Sequence, residues 1–112
     1  MRKERVASII GRQISEIIAH EIKDPRLGFV TITTVDVSDD LKTAIVYFSS
    51  LNDKSEGLET LNRAKGYIRS HLANRVRMKY LPNIEFKIDN SYEYGKKIDA
   101  LLNDISRDDK EQ

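Results

Sequence analysis

The chain has 112 residues, with 19 Lys and Arg against 18 Asp and Glu, a net charge of +1 and no cysteine. That length suits one domain with a single modest core, and the missing thiols exclude disulfides and thiolate metal sites. Apolar runs stay far below the roughly 18 residues that a membrane span needs; the N-terminus shows an amphipathic pattern and no signal core, so the expectation is a cytoplasmic protein without a membrane partner.

Residues 3–23 read as a first helix, with Val6, Ile10, Ile14, Ile17, Ile18 and Ile22 on one stripe. Asp24-Pro25 ends it, because the residue before a proline is pushed out of the helical region. Phe29 to Val37 and Lys42 to Ser49 follow as a hairpin, joined by the turn-forming run Ser38-Asp39-Asp40-Leu41. The apolar phase changes from Val30 and Ile32 to Val35 and Val37, which predicts a bulge near Thr33-Thr34. Asp53, with Glu56 three residues on, has the spacing of a helix start.

The stretch from Leu58 to Pro82 follows. Between Thr60 and Ile84 it holds Arg63, Lys65, Arg69, Arg75, Arg77 and Lys79 and no acidic residue, whereas residues 99–112 carry a net charge of −3. A merely solvated face interleaves both signs, so a basic centre points to a polyanion. Leu58, Leu61, Ile68, Leu72 and Val76 form an apolar seam. In one unbroken helix Lys65 would fall inside that seam, and a buried, unpaired ammonium is very costly. A break at Ala64-Lys65-Gly66 avoids this, since glycine tolerates unusual backbone angles. The expectation is two helices, the second stopped by Pro82.

Ile84, Phe86 and Ile88 alternate with Glu85, Lys87 and Asp89 as a third strand. Asn90 and Glu93 repeat the cap spacing before a last helix with Tyr94, Ile98, Leu101, Leu102 and Ile105 on its stripe. Residues 106–112 form a short polar tail. The sum is an α+β fold with a three-stranded mixed sheet and helices on one face. A helix pair as crossover would set the third strand parallel to the first.

Helix, joint, helix and strand, preceded by a helix and two strands, resemble the type II KH RNA-binding module, in the order α-β-β-α-α-β plus a C-terminal helix. KH modules clamp nucleic-acid backbone with a GXXG loop; here Ala64-Lys65-Gly66, an Ala-X-Gly joint, stands in its place. From Val6 to Leu102 the chain is similar to the ribosome-binding factor A family. The resemblance is carried by Glu21-Ile22-Lys23-Asp24-Pro25-Arg26-Leu27-Gly28, Val30-Thr31-Ile32-Thr33, Ala64-Lys65-Gly66-Tyr67-Ile68-Arg69, Leu81-Pro82-Asn83-Ile84-Glu85-Phe86 and Asp89-Asn90-Ser91. It implies a single KH-like RNA-binding domain over residues 1–105 and a non-catalytic assembly factor. Such a factor binds the free small (30S) ribosomal subunit and its 16S rRNA near the 5′-terminal and decoding-region helices. It assists late maturation and rRNA processing, supports growth in the cold, and is released with help from a ribosome-associated GTPase. The expected state is a monomer without cofactor or metal.

The candidate RNA-binding residues are Arg63, Lys65, Gly66, Arg69, Arg75, Arg77 and Lys79. The six cations would neutralise phosphates and Gly66 would let backbone approach. Six phosphate contacts imply a log–log salt slope of about −4 to −5 for a single strand. Lys79 falls close to the seam and ranks last, since its stem can snorkel there. Arg2, Lys3, Arg5 and Arg12 are a secondary RNA contact. Tyr67 and Tyr80 offer rings for base stacking, although core or rim is the commoner place for tyrosine at helical spacing.

Catalysis finds little support. His20 and His71 lack ligand spacing with any carboxylate cluster, Asp36, Asp39 and Asp40 suit turn formation, and Ser55 and Ser91 suit helix starts. The alternative is a protein–protein adaptor whose acidic C-terminal helix docks a basic partner. Charge reversal of Arg69 and Arg75 would separate the two readings.

Overall fold

The computed structural model describes residues 2–91 and 100–102. Helix α1 spans Lys3–His20 and a 3₁₀ turn Pro25–Leu27; strands β1 (Val30–Val37) and β2 (Thr43–Ser50) precede helix α2 (Lys54–Arg75) and strand β3 (Asn83–Ile88). The expected last helix lies mostly outside the described residues, with Ser91 and residues 100–102 helical. Tyr94, Ile98, Ile105 and the 106–112 tail also lie outside them.

The strand order is β1-β2-β3, with β1 antiparallel and β3 parallel to the central β2. The register slips between Ile32 and Thr34, where the change of apolar phase predicts a bulge. Ala44, Val46 and Phe48 of β2 with Ile84 and Phe86 of β3 meet Val6, Ile10, Ile14 and Ile17 of α1 and Leu61, Ile68 and Leu72 of α2. Burying each large side chain contributes about 1.5–3 kcal/mol. The opposite face of the sheet carries the cross-strand rows Thr34, Tyr47, Lys87 and Asp36, Ile45, Glu85.

Two expectations are corrected here, and they share a cause. First, α2 is one helix of 22 residues through Ala64, Lys65 and Gly66, with no joint. Its buried line runs through Gly57, Thr60, Leu61, Ile68 and Leu72, while Leu58 is only partly buried. The seam is therefore rotated from the sequence expectation, and Lys65 sits half-buried at its margin. No ammonium needs rescue. Second, β3 runs parallel to β2 and so opposite to β1. One helix returns the chain to the start of β2, where two would have left it at the far end.

Helix α2 starts at Asp53, whose carboxylate accepts the Ser55 and Glu56 N–H groups at 2.9 and 3.2 Å. It ends at Arg75 and not at Pro82, because Val76 turns extended, with φ −113° and ψ 125°. Residues 76–82 must reach the head of β3, where the Asn83 N–H donates to the Lys42 carbonyl at 2.8 Å. Extended chain covers about 3.3 Å per residue against 1.5 Å for helix. Val76 and Pro82 are buried at the two ends of this segment.

Candidate nucleic-acid interface

The exposed back of α2 and the segment from Val76 to Leu81 enclose an open groove. Gly66, Arg69, Ser70 and Ala73 form one wall, and Met78, Lys79, Tyr80 and Leu81 form the other. Small residues on the helix wall leave the backbone accessible, and a Cβ added at Gly66 would meet nothing within 4 Å. A second groove lies across the same segment, lined by Asp40, Leu41, Lys42, Arg77, Lys79, Tyr80 and Asn83. The hairpin turn shapes it. Leu41 adopts φ 61°, while the Asp40 carboxylate accepts the Ser38 hydroxyl at 2.7 Å and the Lys42 N–H at 3.0 Å. Those bonds, the Ser38 hydroxyl first, hold Asp40 below its ordinary carboxylate pKa.

The six expected cations separate into groups. Arg69 and Lys79 line the groove beside Gly66, and Arg77 and Lys79 line its neighbour. Lys65 lies one turn from Arg69 on the same flank of α2, without an ion pair among the described residues. Arg63, three residues before Gly66, lines neither groove and faces Glu59 at 3.9 Å. Arg69 and Arg75 are turned onto the protein itself. The Arg69 guanidinium donates to the carbonyl oxygens of Pro82 and Leu81 at 3.0 and 3.4 Å and to Asn83 Oδ1 at 3.3 Å. Arg75 pairs with Glu16 at 3.2 Å and Glu21 at 3.1 Å across the α1–α2 contact. Charge reversal at these two positions would therefore strike the scaffold as well as any ligand, and Arg77 and Lys79 make the cleaner pair.

The secondary cations are dispersed. Lys3 is bound to Asp39 at 2.7 Å, which raises its pKa chiefly through that hydrogen bond. Arg12 borders a separate shallow groove with Gly11, Ser15 and Thr33 to Val35. Arg2 and Arg5 are exposed at the start of α1. The two tyrosines part company as well. Tyr67 donates its hydroxyl to the Glu21 carbonyl at 3.2 Å and lies 4.3 Å from the His71 ring. Tyr80 is 77% exposed, with the Lys79 ammonium 5.7 Å above its ring. Lys42, which sequence reasoning assigned only to a strand, joins the second groove. The cations it joins there, Arg77 and Lys79, are more than thirty residues distant in sequence, so no local pattern marks it.

Residues 2–102 match the family model described as ribosome-binding factor A. The chain is 45% identical to ribosome-binding factor A of Thermodesulfovibrio yellowstonii, over 98% of this chain and 95% of that protein. It is similar to the crystal structure of ribosome-binding factor A from Thermus thermophilus, with a TM-score of 0.75 and 31% identity over 80% of this chain and 97% of that one. It is also similar to the Thermus thermophilus homology model fitted into the cryo-EM map of a complex between that factor and the 30S subunit. That match has a TM-score of 0.66 and 32% identity, over 75% of this chain and 91% of that one. The α+β architecture, its mixed three-stranded sheet and these likenesses together place the chain in the ribosome-binding factor A family.

Proposed function

We propose that this chain is a non-catalytic assembly factor that binds the free 30S subunit through its 16S rRNA and assists late maturation and rRNA processing. The Thermus thermophilus relative fitted into a 30S complex supports the partner. The observation that carries the RNA surface is the groove beside Gly66, where bare helix backbone faces Lys79 with Arg77 adjacent.

The unbroken helix changes how such a groove works. A KH loop presents backbone N–H groups at a helix start, where phosphate is favoured. Mid-helix, those groups are already bonded within α2. Neutralisation of phosphate then falls to the side chains of Lys65, Arg77 and Lys79, with Lys42 at the rim. Gly66 allows the strand to come close, and Arg69 holds the segment opposite in place. Holding an rRNA segment in this way slows wrong pairings, a service of greatest value in the cold, when such pairings dissolve slowly. The protein acts in the cytoplasm as a monomer, and a ribosome-associated GTPase assists its release.

Co-sedimentation tests the proposal. The protein should pellet with free 30S subunits, and Arg77→Glu combined with Lys79→Glu should abolish pelleting while the circular dichroism spectrum stays native. Pelleting only with assembled ribosomes would contradict the maturation role.

A further inference from the structure

Tyr80 stands on the ridge between the two grooves and belongs to both. An exposed aromatic is not informative by itself; its mounting and its neighbours are what matter here. The segment bearing it is fixed at both ends. Val76 and Pro82 are buried, and the Arg69 guanidinium grips the Leu81 and Pro82 carbonyls. The ring is thus held out on a supported strap at 77% exposure, and its hydroxyl has no hydrogen-bond partner among the described residues. Around it stand Arg77, Lys79, Lys42 and Arg69. The acid that lines the second groove, Asp40, already accepts from Ser38 and Lys42.

We infer that Tyr80 is a stacking platform for an unpaired RNA base, with the phosphates on either side of that base lying in the two grooves against Arg77 and Lys79. The inference rests on the proposed function and deepens it by specifying a single strand as the ligand. In a duplex the bases are stacked on one another and offer the ring no free face. Base–aromatic stacking tolerates any base, because every base has a π-face. The site therefore reads whether RNA is paired, and not its sequence. A protein partner fits less well, since lysine is depleted from protein interfaces and cations dominate the surroundings here.

The test is an anisotropy titration of the full chain. The probes are a fluorescein-labelled, unstructured, pyrimidine-rich RNA strand and the same strand annealed to its complement. Tyr80→Ala should weaken single-strand binding about 5- to 140-fold, with the salt slope and the duplex affinity unchanged. Tyr80→Phe should bind like the parent. Tyr80→Leu keeps apolar bulk without a π-face; it should bind weakly, and it serves if the alanine variant fails to fold. Parental affinity in Tyr80→Leu, or equal losses on strand and duplex, would overturn the platform. Variants that keep strand binding yet lose 30S binding would assign Tyr80 to a ribosomal protein and overturn it as well. Failure of the parent chain to pellet with 30S subunits sinks the proposed function instead, so the two failures are distinguishable.

Discussion

The guanidinium of Arg69 donates to the carbonyl oxygen of Pro82 at 3.0 Å, which ties the flank of α2 to the last residue before β3. This bond, with those to Leu81 and Asn83, gives a residue of the basic stretch a scaffolding role. Arg69→Met should therefore lower stability by about 1–3 kcal/mol, the cost of leaving part-buried carbonyls without a donor. Urea unfolding measures it. A variant as stable as the parent would free Arg69 to be a simple phosphate ligand.

Arg75 clasps Glu16 and Glu21 with all three side chains only partly exposed. Pairs of this kind are worth about 0.2–1 kcal/mol. A double-mutant cycle of Arg75→Ala with Glu16→Ala should give a coupling in that range, shrinking as salt is added.

With Arg75 committed to α1 and Arg63 outside both grooves beside Glu59, fewer cations reach one strand than sequence counting implies. Three or four phosphate contacts give a log–log slope of about −2 to −3 for single-stranded RNA. A slope of −4 or steeper in a salt titration would mean that RNA displaces the Arg75 clasp or wraps onto α1.

Two glycines in α2 should respond oppositely to alanine. Gly66 faces open space, so Gly66→Ala should stabilise the helix by about 1 kcal/mol while weakening RNA binding through its added methyl. At Gly57 the new Cβ would lie 3.3 Å from the ring of Phe48, itself fully buried and unable to retreat. Gly57→Ala should destabilise. Thermal unfolding of the two variants side by side decides it.

Asp89 is held below its usual pKa of 3.8 by hydrogen bonds from Ser91 and from the Thr33 hydroxyl. A pKa depressed by folding stabilises at pH values above the unfolded value, and the benefit fades as pH falls through the folded one. The urea midpoint should accordingly drop once pH goes below about 3.8, and Asp89→Asn should flatten that decline. Asp24, held down chiefly by its hydrogen bond from Arg26, should titrate in the same low range when followed by carboxyl NMR.

Features that depend on neighbours in sequence were legible in the sequence. The bulge at Thr33-Thr34 showed as a phase change, the start of α2 as Asp53 with Glu56, and the buried face of β3 as strict alternation. The course of α2 was not, because placing Leu58 in the seam instead of Gly57 and Thr60 made Lys65 look buried. A long amphipathic side chain can lay its stem on the edge of a seam and carry its charge outward. From that one misplacement came the false joint and the reversed strand. The roles of Arg69 and Arg75 were equally hidden, since Pro82 lies 13 residues from Arg69, and Glu16 and Glu21 lie 59 and 54 from Arg75.

An uninterrupted α2 also bears on how the surface meets its ligand. Wedged against Phe48 near one end and bridged to α1 at the other, the rod has no pivot at Gly66. Its groove is thus shaped before any ligand arrives, and the protein loses little conformational entropy on docking. If the ligand is the proposed rRNA segment, adaptation falls to the nucleic acid: a floppy, immature segment can conform to a rigid mould, whereas one already locked into a finished ribosome cannot.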